Sequence, residues 1–392
     1  MRTPLPRHAL RHPAAIAAVV LGLTLAAVPF LPDRAGKDAA QGKIEPAADG
    51  ARTPGRGVVT AEMRAEIERV VAAGASLSRT DGRTSSASAA AAASRCASFE
   101  GQRYCLGVGW TNRSQDEVAE RMSAWPATRS ARERTGDLGP TALLARATGR
   151  REAARIRAER AELVAAAKAV GKVWMLRHEI QGVPLPRGFA QAHPEVSARA
   201  FGENHPERFS IIKGSRSLSQ NRTYWCGPAT MQAIGWGSSK ERTDQAVWAR
   251  RLRTSSAGTA ITDMVRVVNN HTKYDRKKFA GTYIALDIGD FTFHEWYRLM
   301  MRHIHGYRAP VVLHPVLLKQ YYPYLDDDAS GHFQVGRGFD QNTGGNRKIG
   351  YFEPWDQSRF DPSEPAIDRV QWRNAYKSYR ANLDHFQQNI GV

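Results

Sequence analysis

The chain has 392 residues and carries 56 Lys and Arg against 38 Asp and Glu, a formal net charge of +18. That length holds one large core or two modest domains, so a complete enzyme fits beside an accessory region. The basic excess attracts anionic polymers and membrane surfaces, but the arginines are scattered among alanines and no standard nucleic-acid-binding motif occurs, which argues against a nucleic-acid partner.

At the N-terminus Arg2, Arg7 and Arg11 precede an apolar run over 14–31, the order by which secretory signals engage the export machinery. Residues 1–31 are therefore expected to be a signal peptide, or an uncleaved anchor, and the protein to be secreted or held at the cell surface. The membrane is expected as a partner only through this segment. Residues 32–58 are rich in Ala, Gly, Pro and Asp without an apolar period, the composition of a disordered linker.

Residues 59–185 are expected to form an N-terminal helical region. In TAEMRAEIERVVAA, Met63, Ile67, Val70 and Val71 recur at helical spacing behind a capping Thr60. After a low-complexity stretch comes RCASFEGQRYC. Outside the cytoplasm nearby thiols oxidise, so Cys96 and Cys105 are expected to form a disulfide loop, leaving Cys226 unpaired. A helix follows Ser114 through Val118 and Met122, and a longer helical pattern runs from Thr141 to about Glu179, with Gly149 and Gly171 as candidate breaks.

Beyond VPLP at 183–186 aromatic residues become frequent, and 186–392 reads as a separate domain. Helices are expected from Thr230 and around 243–252, and strands at TYIALDI, APVVLHPV, HFQVGRGFD and KIGYFEP. The fold class is α+β with an antiparallel sheet.

Four residues in this half carry chemistry. Cys226 stands before Gly-Pro and a helix-forming run in SQNRTYWCGPATMQAIGW, where the positive end of a helix dipole favours the attacking thiolate. Gln220 lies close enough upstream for its side-chain amide to join the Cys226 N–H as an oxyanion donor. His332 opens HFQVGRGFD, where alternation sends His332, Gln334 and Gly336 to one face and Phe333 and Val335 to the other. Glu353, at the end of the next strand, is placed to accept the second ring N–H and fix the tautomer.

Together, Gln220, Trp-Cys-Gly-Pro-Ala-Thr, Gly-His-Phe and an acid before Pro-Trp resemble the bacteriocin-processing cysteine peptidases and their exported bacterial relatives, within the papain-like clan. The similarity spans about Gln220 to Trp355. The segments TDQAVWARRL, GTAITDMVRVVNNHT and APVVLHPV look like the corresponding stretches of those relatives. The resemblance implies a papain-like two-lobed fold, a helical lobe facing an antiparallel sheet, with an N-terminal helical extension. It implies a cysteine peptidase or amidase that hydrolyses peptide or protein substrates through a thioester. The family usually has aspartate before Pro-Trp, so Asp340, Asn342 and Asp356 stand beside Glu353 as candidates for the third member.

Other readings are a catalytically silent papain-like module binding peptides or cell-wall fragments, and a wall-associated protein working through its basic surface on anionic cell-wall polymer. His303, His305 and His314 are the one zinc-like cluster in the sequence, but His-x-His diverges on a helix and no HExxH occurs. No metal and no cofactor are expected. Trp225 and Trp355 are expected at the cleft, and the helical region, standing upstream of the nucleophile, is positioned to mask it.

Overall fold

The computed structural model describes residues 57–77, 86–125, 135–148, 152–196, 204–239, 241–342, 346–360 and 366–392. Residues 1–31, expected to be a signal peptide, and the expected linker up to residue 56 lie outside them. Among the described residues no helix is long and apolar enough to cross a membrane.

Helix α1 (Ala61–Leu77) begins where the sequence caps it, with the Met63 amide donating to Thr60 Oγ1 at 3.3 Å. It buries Met63, Ile67, Val70 and Val71 on one face, as their spacing requires. After α2 (Ser86–Ala93), helix α3 (Gln115–Ala124) starts at a reciprocal Ser114–Glu117 capping box. The described helices of the long helical stretch are α4 (Pro140–Thr148), α5 (Glu152–Ala167) and α6 (Val170–Gln181), and Gly149, the first candidate break, lies outside the described residues. Gly171 does not break it: it lies inside α6, where a Cβ would come within 2.7 Å of the His193 ring, so its smallness serves packing. A single turn, α7 (Phe189–Ala192), precedes the second half.

That half contributes α8 (Cys226–Ser238), α9 (Gln245–Leu252), α10 (Ile261–His271), α11 (Phe293–Met301), the short α12 (Gln357–Phe360) and α13 (Ala375–Leu383). Its strands are β4 (Arg208–Ser210), β5 (Ala285–Asp287), β6 (Val311–Leu313), β7 (Gln334–Asp340), β8 (Lys348–Phe352), β9 (Val370–Asn374) and β10 (Asn389–Gly391). The region before residue 186 also supplies strands, β1 (Cys96–Phe99), β2 (Gln102–Cys105) and β3 (Gly109–Thr111). All belong to one sheet in the order β1-β2-β3-β5-β10-β6-β7-β8-β9, with β4 pairing along β7.

The class is α+β, but the sheet is mixed. β3 runs parallel to β5, with Trp110 beside Leu286, and the junction is sealed by Thr111 Oγ1 donating to the buried Asp287 carboxylate at 2.7 Å. Residues on both sides of the boundary expected near 186 thus contribute to one sheet, within the compact unit Ala51–Val392.

Two apolar clusters dominate. One gathers α1, α5, α6 and α11 around Phe99, Trp110 and Trp296, and the other packs α8, α9 and α10 against Phe333 and Val335. Cys226 belongs to the second.

Cys96 and Cys105 face each other across the β1–β2 hairpin and are joined as a disulfide. Closing so short a loop restricts the unfolded chain, and Cys96→Ala/Cys105→Ala should lower stability by about 2.5 kcal/mol in a urea titration.

Candidate active site

Helix α8 begins at Cys226, with Trp225 as its N-cap, so the sulfur stands at the helix tip. The start is held against the sheet by Thr230 Oγ1, which donates to the Phe333 carbonyl at 2.9 Å. Phe333 immediately follows His332, so one bond ties the nucleophile's helix to the strand carrying the imidazole.

His332 and Glu353 are both fully buried, and His332 Nε2 donates to Glu353 Oε1 at 2.7 Å. The carboxylate takes three further donors: the Trp355 amide at 2.8 Å on Oε1, and Gln334 Nε2 at 2.7 Å and Tyr324 OH at 2.9 Å on Oε2. Burial alone would push its pKa up, but the neighbouring imidazole and these hydrogen bonds outweigh it and hold Glu353 below the usual carboxylate range. An ionised Glu353 accepts only, so Nε2 carries the proton and Nδ1 presents its lone pair. Among the described residues that Nδ1 has no hydrogen-bond partner.

The alternatives to Glu353 do not reach the ring. Asp340 Oδ1 accepts the Asn342 amide at 3.1 Å, at the far end of β7, and Asp356 turns to Ser358 and Arg369. Just after β8, the Glu353 amide donates to the Arg369 carbonyl at 2.9 Å, which fixes the backbone that carries the acid.

Gln220 is buried, and its own amide donates to the Pro354 carbonyl at 2.8 Å, which fixes it to the loop behind Glu353. Its side-chain Nε2 donates to the carbonyls of Arg222 and Thr223 at 2.9 and 2.8 Å and lies 3.3 Å from the carbonyl oxygen of Thr135. The Cys226 amide donates to the same Thr135 oxygen, also at 3.3 Å. The two groups expected to hold an oxyanion therefore converge on one carbonyl oxygen, supplied by the chain itself.

The segment carrying that oxygen is bound along its length. The Thr135 amide donates to Ser330 Oγ at 3.0 Å, and its hydroxyl donates to the Gly331 carbonyl at 2.7 Å. Asp137 bridges to Thr259 in parallel register, with the Thr259 amide on the Gly136 carbonyl at 2.8 Å and the Leu138 amide on the Thr259 carbonyl at 2.9 Å. Gly136 has φ +117°, and a Cβ there would lie 2.4 Å from the Tyr224 carbonyl, so only glycine lets the segment come this close.

The helix tip, expected to help activate Cys226, is opposed by a larger effect. The sulfur is fully buried in the α8–α10 core, and desolvation, with the charge of Asp137 next, drives the thiol pKa well above its usual value. The Phe333 and Gly227 amides favour the thiolate but do not offset this.

A second buried cluster was not foreseen. Asp137, His314 and His385 place one ligand-type atom each within 4.8 Å of one another. The donor set resembles a metal site, but the hydrogen bonds oppose it. His385 Nδ1 accepts the Gln387 amide at 3.2 Å, so its Nε2 bears the proton and donates to Asp137 at 2.8 Å instead of offering a lone pair. Burial, with His314 next, pushes the His385 pKa down to about 4.

The zinc-like histidines of the sequence do not assemble. His303 meets the Ala309 carbonyl, His305 meets His205, and His314 meets Asn389. Of the expected cleft tryptophans, Trp355 is buried beside Phe360 with its amide on Glu353, and Trp225 is half-buried under Arg222. Tyr324, Gln334 and the Asp137 cluster escaped sequence reasoning. The alternation on β7 was the one available signal, since it put Gln334 on the His332 side. No family model matches the chain, and no curated protein matches it.

Removing the carboxylate should be costly. Glu353→Ala strands four buried donors and should lower stability by roughly 3–5 kcal/mol by chemical denaturation. A pH effect follows from His385, whose folded pKa of about 4 lies below its ordinary 6.5. Between those values the unfolded chain binds the extra proton, so stability falls as pH drops from 6.5 towards 4, by at most about 1.4 kcal/mol per pH unit. Equilibrium unfolding at stepped pH should show this slope reduced in His385→Gln.

Proposed function

We propose that the protein is an exported cysteine peptidase or amidase of papain-like type, acting through Cys226, His332, Glu353 and Gln220. The observation that carries this reading is the convergence of the Cys226 amide and Gln220 Nε2 on one carbonyl oxygen. Two donors on an oxygen beside a cysteine at a helix tip are what a tetrahedral oxyanion needs. The Glu353–His332 pair supports it further, because the bond to Nε2 leaves Nδ1 as the basic nitrogen.

In this reading His332 takes the thiol proton as Cys226 attacks the carbonyl carbon. The oxyanion rests on the Cys226 amide and Gln220. The leaving amine takes the proton from His332, and water, deprotonated by the same ring, releases the acid from the thioester. Glu353 stabilises the imidazolium throughout. The raised thiol pKa makes proton transfer to His332 the step that creates the nucleophile, so the sulfur is not a resting thiolate.

A catalytically silent peptide-binding module of the same shape is the second reading, favoured by the buried sulfur. A mixed peptide library incubated with the native chain and with Gly136→Ala, which clears the Thr135 carbonyl, separates the two. New peptide termini detected by mass spectrometry should disappear in Cys226→Ala and His332→Ala and fall about a hundredfold in Gln220→Ala. Termini that survive Cys226→Ala, or that never form in either background, leave the binding module.

A further inference from the structure

Asp137 enters a pocket shaped for a carboxylate. His385 Nε2 donates to Asp137 Oδ2 at 2.8 Å and His314 Nε2 lies 3.5 Å from the same oxygen. Gly331 forms the floor: a Cβ there would fall 2.2 Å from Asp137 Oδ2 and 2.6 Å from His385 Nε2, so the space for the acid exists because that residue has no side chain.

Both imidazoles are oriented from behind. The amide of Asn389 donates to the Val108 carbonyl, turning its oxygen to His314 Nδ1 at 2.7 Å, so His314 Nδ1 bears a proton. His314 Nε2 is consequently a bare acceptor unless it too carries a proton, and among the described residues it has no hydrogen-bond partner. Between them the two imidazoles hold the Asp137 carboxyl well below its ordinary range, against the burial that would raise it. His385 offers its Nε2–H to the same oxygen. The pocket therefore prefers a carboxylate over its neutral isostere.

The pocket also adjoins the reacting centre. Gly331 precedes His332, Asp137 raises the Cys226 thiol pKa, and the acid's own backbone spans from the two oxyanion donors to Thr259.

The geometry points to an acid-selective subsite, formed by His314, His385 and the Gly331 backbone, which recognises an aspartate side chain of a peptide and is filled in the intact chain by Asp137 of its own Thr135–Leu138 segment. This rests on the peptidase reading only for the purpose of the cleft; the binding of an acidic peptide stands without turnover. It follows that the intact chain holds a peptide of its own where a substrate would lie.

The experiment follows alkylation of Cys226 by iodoacetamide in the full chain, read by intact mass. Asp137→Ala removes the anchor, and Gly136→Ala drives the segment off the Tyr224 backbone while leaving the pocket whole. Each should alkylate at least tenfold faster than the native chain. The synthetic peptide Arg-Thr-Gly-Asp-Leu-Gly-Pro should restore protection to Gly136→Ala, while the same peptide with Asn in place of Asp should need at least tenfold more for equal effect.

Equal protection by the two peptides overturns the subsite, as does unchanged alkylation in both folded variants. If Asp137→Ala does not fold, Gly136→Ala and the peptide pair decide alone. Asp-selective protection without any peptide cleavage sinks the peptidase and leaves the subsite. Cleavage dependent on Cys226 without Asp selectivity sinks the subsite and leaves the peptidase.

Discussion

A buried carboxylate persists as an anion only where donors replace the water it has lost, and the order of this site follows from how Glu353 meets that condition. Its four donors come from the chain leading into β7, from β7 itself, from the loop before it and from the chain after β8. Satisfying the acid therefore fixes three parts of the lobe against each other. It also sets the chemistry of the imidazole, because the proton must stay on the nitrogen facing Glu353. The adjacent Pro354 carbonyl accepts the Gln220 amide, so the same turn positions Gln220.

Cys226 obeys the opposite logic. A thiol in an apolar core keeps its proton, and at Cys226 burial and the nearby Asp137 outweigh the helix tip and two backbone amides. In the proposed peptidase reading, a protonated sulfur fits a site in which the Thr135 carbonyl already meets the Cys226 amide and Gln220 Nε2. The Thr135 carbonyl at these two groups occupies the place another carbonyl oxygen would take.

Local order was legible in the sequence where period and capping agree. The Thr60 and Ser114 helix starts, the α1 stripe, the positions of β5 to β8 and the shared face of His332 and Gln334 all follow from short-range pattern. The Cys96–Cys105 pairing followed from spacing and compartment. What the sequence did not reveal depends on contacts between distant segments. β1 to β3 are three or four residues long, too short to display alternation, and they exist because β5 extends the sheet to them. Asp137 sits in Gly-Asp-Leu-Gly, which reads as an ordinary turn, and its histidine partners stand near the other end of the chain. Only a fold brings them together. The choice of Glu353 over Asp340, Asn342 or Asp356 was equally closed to spacing, since it turns on which carboxyl the chain after β8 carries inward.

The charge balance gains a meaning at this point that scattered arginines did not suggest. The chain carries an excess of positive charge, while the acids that act on the Cys226 sulfur, Asp137 and Glu353, are buried and hydrogen-bonded. A basic exterior raises the local concentration of acidic peptides and hastens their encounter without selecting among them. Selection needs a desolvated contact, where losing one oxygen's charge strands a donor, and the His314–His385 pocket is such a place. Long-range field and short-range pocket then favour the same ligand, an acidic peptide, and the chain's own Asp137 segment is the first such peptide the pocket meets. The basic composition and the buried acid on the segment are in this view two parts of one recognition problem: the field draws carboxylates, and the segment's own acid occupies the pocket that would select among them.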